Sequence, residues 1–77
     1  MEEMLRVLVK DLVSDPSQIE IATKQEGSIT TLELKVAKED MGKVIGKQGK
    51  IAKAIRTLMK AYGSKNGEKI NVDIIDQ

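Results

Sequence analysis

The chain has 77 residues, no cysteine, no histidine, and a formal net charge of +1. So little apolar surface supports one small core and not two, so the whole of residues 1–77 is expected to form a single domain. The missing residue types remove disulfides, thiol nucleophiles, the commonest general base and most transition-metal sites. No apolar run approaches the roughly 20 residues that cross a bilayer. Glu2, Glu3, Arg6, Lys10 and Asp11 interrupt the N-terminal apolar pattern, so that segment is expected to be no secretory signal and the protein to be cytoplasmic.

In chain order, Met1, Met4, Leu5, Leu8, Val9, Leu12 and Val13 recur at three- and four-residue spacing and predict a first helix. Ser14-Asp15-Pro16 stops it, because proline disfavours the helical conformation for its predecessor. Ile19 and Ile21 open a first strand that runs to Gln25. Leu32, Leu34 and Val36 alternate with Glu33 and Lys35 in a second. The short turn Glu26-Gly27-Ser28 joins them as an antiparallel hairpin, with Gly27 at positive φ. Residues 38–45 read as a short helix whose start carries Glu39 and Asp40, and Gly46 breaks it. Helical spacing resumes from Lys50 to Tyr62 with Ile51, Ile55, Leu58 and Tyr62 on one face. Gly63 to Gly67 is a loop by composition, and Ile70, Val72 and Ile74 alternate in a last strand. The order α-β-β-α-α-β predicts an α+β fold with helices on one face of a three-stranded sheet.

Charge is unevenly spread. Residues 1–40 carry five basic and nine acidic side chains. Residues 41–60 carry six basic ones (Lys43, Lys47, Lys50, Lys53, Arg56, Lys60) and no acid. A near-neutral protein with one basic island meets a polyanion locally while staying soluble. Carboxylates elsewhere are scattered, the four serines and four threonines have no partner base, and Glu39-Asp40 reads as a helix start. No catalytic residue, metal site or cofactor is therefore expected.

The island begins at Gly46-Lys47-Gln48-Gly49, between two helical patterns. Glycines without a β-carbon let another backbone pass close. The unpaired amides opening the next helix attract phosphate by hydrogen bonding and by the helix dipole. Lys50, Lys53, Arg56 and Lys60 then form a stripe down that helix, apart from its apolar face. A merely solvated helix face would usually intersperse glutamates for i,i+4 pairing, and this one has none.

The stretch Val44-Ile45-Gly46-Lys47-Gln48-Gly49-Lys50-Ile51-Ala52-Lys53-Ala54-Ile55-Arg56 resembles the signature of a KH domain, in which a G-x-x-G loop clamps about four single-stranded nucleotides. The likeness extends over the leading helix, Asp40-Met41-Gly42-Lys43 and the closing Lys69-Ile70-Asn71-Val72-Asp73. The chain is similar to the small stand-alone bacterial KH proteins of the KhpA type. The resemblance implies a type II (prokaryotic) KH arrangement with a mixed sheet, and an RNA chaperone or post-transcriptional regulator without catalytic activity. It implies that Gly46 and Gly49 admit the sugar-phosphate backbone, that Lys47 and Gln48 contact phosphates, and that Lys43, Lys50 and Lys53 add attraction. Val44, Ile45 and Val36 line an apolar groove for bases, with ordinary core as the competing reading. It further implies self-association or pairing with a larger KH-containing Jag-type protein, and that protein interaction is the alternative main role. The helix after the loop, around Ala52 and Met59, is the expected interface.

Overall fold

The computed structural model describes residues 1–75. Its elements are α1 (Glu2–Lys10), β1 (Glu20–Glu26), β2 (Ile29–Lys35), α2 (Met41–Ile45), α3 (Lys50–Lys65) and β3 (Lys69–Ile74), with single 3₁₀ turns at Pro16–Gln18, Lys38–Asp40 and Lys47–Gly49. The expected order and the mixed sheet are both present. β1 and β2 pair antiparallel from Glu20 opposite Lys35 to Glu26 opposite Ile29. Gly27, at φ 61°, makes the two-residue turn between them. β3 returns parallel to β2, with Leu32 beside Val72. A parallel return needs a long crossover, and α2, the glycine loop and α3 supply it.

The strands alternate as a one-sided sheet requires. Leu32 and Leu34 of β2 and Ile70 and Val72 of β3 are buried against Leu5 and Val9 of α1, Val44 of α2, and Ile55 and Met59 of α3. The opposite face carries Glu20, Lys24, Glu33 and Lys35, with Lys24 paired to Glu33 at 3.3 Å.

Three expectations change. First, α1 ends at Lys10 and does not run on to Val13. The amides of Ser14 and Asp15 are captured by the Asp40 carboxylate, which draws the chain out of the helix before the proline is reached. Val13 nevertheless meets the core. Second, α3 continues through Gly63 to Lys65. A β-carbon on Gly63 would lie 2.6 Å from the Ile70 side chain. Close packing on β3 here outweighs the roughly 1 kcal/mol that glycine costs a helix.

Third, the apolar face of α3 is shifted from the expected one, with Ile55 in the core, Ile51 and Tyr62 only partly packed against it and Leu58 off it. Ala52, Ile55, Met59 and Gly63 are buried, whereas Leu58 is 55% exposed. Ala52 and Met59 are therefore core residues, at 3% and 0% exposure, and do not themselves supply surface to an interface on this helix. The small side chains at 52 and 63 let α3 approach the sheet, and that choice of contact face depends on the partner surface.

This shift predicts opposite outcomes for neighbouring residues. Met59→Ala should cost about 2–5 kcal/mol in urea unfolding, the usual loss for a fully buried large side chain. Leu58→Ala should stay within about 0.5 kcal/mol, as for an exposed site. The reverse order would contradict the packing described.

Candidate nucleic-acid interface

The glycine loop is positioned from behind by a buried acid. Asp40 is only 1% exposed. Its two carboxylate oxygens accept the backbone N–H groups of Ser14 at 3.0 Å and Asp15 at 3.1 Å. Lys43 pairs with it at 3.2 Å and also donates to the Ser14 hydroxyl. The Ser14 amide, then the Asp15 amide and Lys43, hold the Asp40 carboxyl below its ordinary value of 3.8 against the opposing effect of burial. The segment after α1 is thus tied to the start of α2. By its sequence position alone, Asp40 is a helix-start residue. Its long-range partners lie 26 and 25 positions away and leave no local pattern.

The loop itself is a tight backbone reversal. Gly46 ends α2 at φ 76°, ψ 176°, a region open only to glycine. A β-carbon there would meet three side-chain carbons of Ile51 at 2.6–2.9 Å. Gln48 sits at φ 57°, the one non-glycine residue at positive φ among the described residues. Gly49 follows at φ 71°, with nothing within 4 Å of where its β-carbon would be. The turn is closed by the Gly49 amide donating to the Gly46 carbonyl at 3.2 Å and by the Lys50 amide donating to that of Lys47. No side chain caps the first turn of α3. Of its opening amides, that of Lys50 is already engaged by the Lys47 carbonyl.

The expected site residues separate into three groups. Gly46, Lys47, Gln48, Gly49 and Lys50 come together at the loop. Lys53 follows one turn down α3, and Lys47, Gln48, Lys50 and Lys53 are exposed. None of these lysines is in an ion pair with a described residue; the ion pairs found there are Lys24–Glu33 and Lys43–Asp40. Lys43 therefore brings a charge already compensated. Val36 and Val44 are fully buried, so they stand behind the groove and do not form its wall. Successive helical residues differ by about 100°, so Val44 turns into the core while Ile45 stays 37% exposed.

The groove beside the loop is about 490 Å³ and is lined by Met41, Ile45, Gly49, Ala52, Arg56 and Ile74. Of these, Ile45 alone is among the residues expected to line it; Met41, Ala52, Arg56 and Ile74 are not. Met41 and Ile45, four apart on one helix, carried a readable signal. Ile74 did not, because its place depends on the parallel pairing of β3. Arg56 was read as part of the basic stripe, but its Nε donates to the Val72 carbonyl at 3.2 Å, which turns the guanidinium toward the groove. Among the described residues, no cluster of three or more His, Cys, Asp or Glu could hold a metal, and no helix is long and apolar enough to cross a membrane.

The chain matches the family described as KhpA/KhpB, KH domain, over residues 2–74. It is 53% identical over 76 residues to the RNA-binding protein KhpA of Listeria monocytogenes, covering 99% of this chain and 100% of that one. It is 48% identical over 75 residues to the RNA-binding protein KhpA of Clostridium acetobutylicum, covering 97% and 100%. The RNA-binding protein KhpA of Chlamydia pneumoniae is 39% identical over 77 residues, covering 100% and 99%.

Two predictions come from this geometry. Gly46→Ala and Gly49→Ala should differ sharply, although both enforce a positive φ that costs a side chain about 1–2 kcal/mol. Gly46→Ala also collides with Ile51, so it should unfold at distinctly lower urea than Gly49→Ala, which meets open space. Equal midpoints would contradict the Gly46–Ile51 contact. For Asp40, a lowered pKa means that its stabilisation is present above the ordinary carboxylate value and lost as pH falls through the folded-state value. Asp40→Asn should therefore be less stable than the parent at neutral pH. The gap should close as pH drops below about 3.8 in thermal unfolding.

Proposed function

The chain belongs to the KhpA/KhpB family of KH domains, and from that premise we propose that it is a non-catalytic RNA-binding protein that holds a single-stranded backbone on the loop Gly46–Gly49. The observation that carries this reading is the coincidence of open space over Gly49, where no atom lies within 4 Å of the missing β-carbon, with the exposed side chains of Lys47, Lys50 and Lys53. A sugar-phosphate chain reaches the backbone there. Lys47 and Gln48 flank it, the uncapped first turn of α3 offers amide donors, and Lys50 and Lys53 add uncompensated charge. The relatives' name, RNA-binding protein KhpA, supports the same ligand. The whole chain acts as one KH domain in the cytoplasm, as an RNA chaperone or post-transcriptional regulator.

Affinity on this reading is owed largely to phosphates. The sole aromatic, Tyr62, packs in part against the core, so base stacking on aromatic rings, worth about 1–3 kcal/mol per base elsewhere, is not at hand. Binding should then fall with salt, with a slope near −0.7 for each phosphate neutralised on a single strand.

A second reading, pairing with another copy or with a larger KH-containing Jag-type protein, is favoured by Leu58. It is 55% exposed on α3, beside Ala54 and Thr57 and flanked by Lys50 and Lys53. Pairing would add avidity for a long strand without new RNA contacts.

One experiment addresses both. Lys47→Asp with Gln48→Asp is titrated with single-stranded RNA at two salt concentrations, with solution mass recorded against the 8.5 kDa chain. Mass and folding are expected to be unchanged and RNA binding lost. RNA binding that survives intact would sink the loop reading, and loss of a dimer would favour protein interaction as the role of this surface.

A further inference from the structure

The inner face of the sheet changes character toward the hairpin. At the end near the glycine loop it is apolar, with Leu34 of β2 opposite Ile21 of β1. Alternation brings Thr23, Gln25 and Thr30 onto the same face nearer the turn, with Gln25 directly opposite Thr30. These three share a cleft of about 700 Å³ with Glu2, Glu3 and Arg6 of α1 and with Glu68, the residue before β3.

Thr30 marks this cleft as more than a gap. It is only 6% exposed, yet its hydroxyl has no hydrogen-bond partner among the described residues. No fully enclosed side-chain oxygen or nitrogen is left unpaired among those residues, so the Thr30 oxygen keeps its access through the cleft. Burying a hydroxyl without a partner is unfavourable. Valine would give the same shape without that cost.

The lining says what ligand fits. Glu2, Glu3 and Glu68 are in no ion pair among the described residues, and Glu2 accepts only the Thr23 hydroxyl. Opposing them are the amino group of Met1 and Arg6, whose guanidinium is turned to the Ile19 carbonyl at 3.5 Å. Ionised carboxylates accept hydrogen bonds and cannot donate, so the ligand is cationic and rich in N–H. Among the described residues no three acidic side chains gather closely enough to hold a metal ion. Carboxylates set apart suit positive charges set apart and joined by an apolar chain. The Met1 side chain and the methylene stems of Arg6 and Gln25 offer surface to such a chain.

We propose that this cleft binds a linear polyamine, its ammonium groups on the carboxylates and one of them donating to the Thr30 hydroxyl. The site is separate from the glycine loop. Thr30 stands beside Ile70 in the parallel register, and Leu34 beside Ile74, a residue of the loop's groove. Four residues of strand lie between, about 13 Å. The proposal therefore stands or falls independently of RNA binding at the loop.

The test titrates spermidine into the full isotope-labelled chain, without RNA, and follows the backbone amide resonances. Saturable shifts are expected at Glu3, Gln25, Thr30 and Glu68, and none at Glu20, Glu33, Glu39 and Asp73. Putrescine, with fewer ammonium groups, should bind more weakly at the same amides. Magnesium ion, of the same charge as putrescine, should leave them unmoved. Thr30→Val should weaken spermidine binding about tenfold or more, the worth of a hydrogen bond to a charged group. Its urea midpoint without ligand should equal or exceed that of the parent. Glu3→Gln with Glu68→Gln, at exposed positions, should weaken binding as well, and decides the matter if Thr30→Val does not fold. Lys47→Asp with Gln48→Asp should bind spermidine as the parent does. Shifts spread over all acidic side chains would overturn the proposal, as would equal shifts with magnesium. So would spermidine binding that both cleft variants leave unchanged.

Discussion

The contact between Ile51 and the bare backbone of Gly46 governs the geometry of the site. Ile51 occupies the space that any side chain at position 46 would need. α2 and α3 are thereby joined at a distance only glycine permits. From that joint follow the positive φ values at Gln48 and Gly49, the outward presentation of Lys47 and Gln48, and the uncapped start of α3. The groove follows as well, because Met41 and Ile45 of α2 face Ala52 and Arg56 of α3 across the joint. Backbone strain at Gln48 persists because the residues on either side over-determine it.

Asp40 supplies the second constraint. Its carboxylate binds two amides from the segment after α1 and one lysine of α2. It thereby fixes the base of α2 against the N-terminal part of the chain while consuming the charge of Lys43. The field that a polyanion meets at the loop arises from Lys47, Lys50 and Lys53. Over residues 1–40 acids outnumber bases. Glu20 stands opposite Lys35, and Lys24 pairs with Glu33 on the outer face of the sheet. A chain of net charge +1 therefore gathers exposed positive charge beside the open backbone of Gly49.

The two ends of one short stretch of α3 differ in character. Its first residues adjoin the glycine loop and include the exposed Lys50 and Lys53. Arg56, two turns on, lines the apolar groove and is tied to β3 through the Val72 carbonyl.

The sequence by itself determined the element order, the hairpin about Gly27, the break at Gly46 and the basic, acid-free helix after it. These are local: periodicity, turn residues and charge are written in neighbouring positions. Full-length likeness to KhpA relatives then bore out the family. Tertiary structure alone decided where α1 ends, because Asp40, which captures the Ser14 and Asp15 amides of the segment after it, lies far along the chain. It alone decided which face of α3 is buried. Ile51, Ile55, Leu58 and Tyr62 make as good a stripe on paper as Ala52, Ile55, Met59 and Gly63. Only the sheet, pressed close at Ile70, chooses the one with small residues. The same holds for the groove. Val44 and Ile45 are adjacent in sequence and alike in chemistry, yet the helix turns one into the core and the other onto the wall. Ile74 and Arg56 join that wall only because β3 runs parallel to β2. Local chemistry writes the loop, and long-range packing decides what the loop faces.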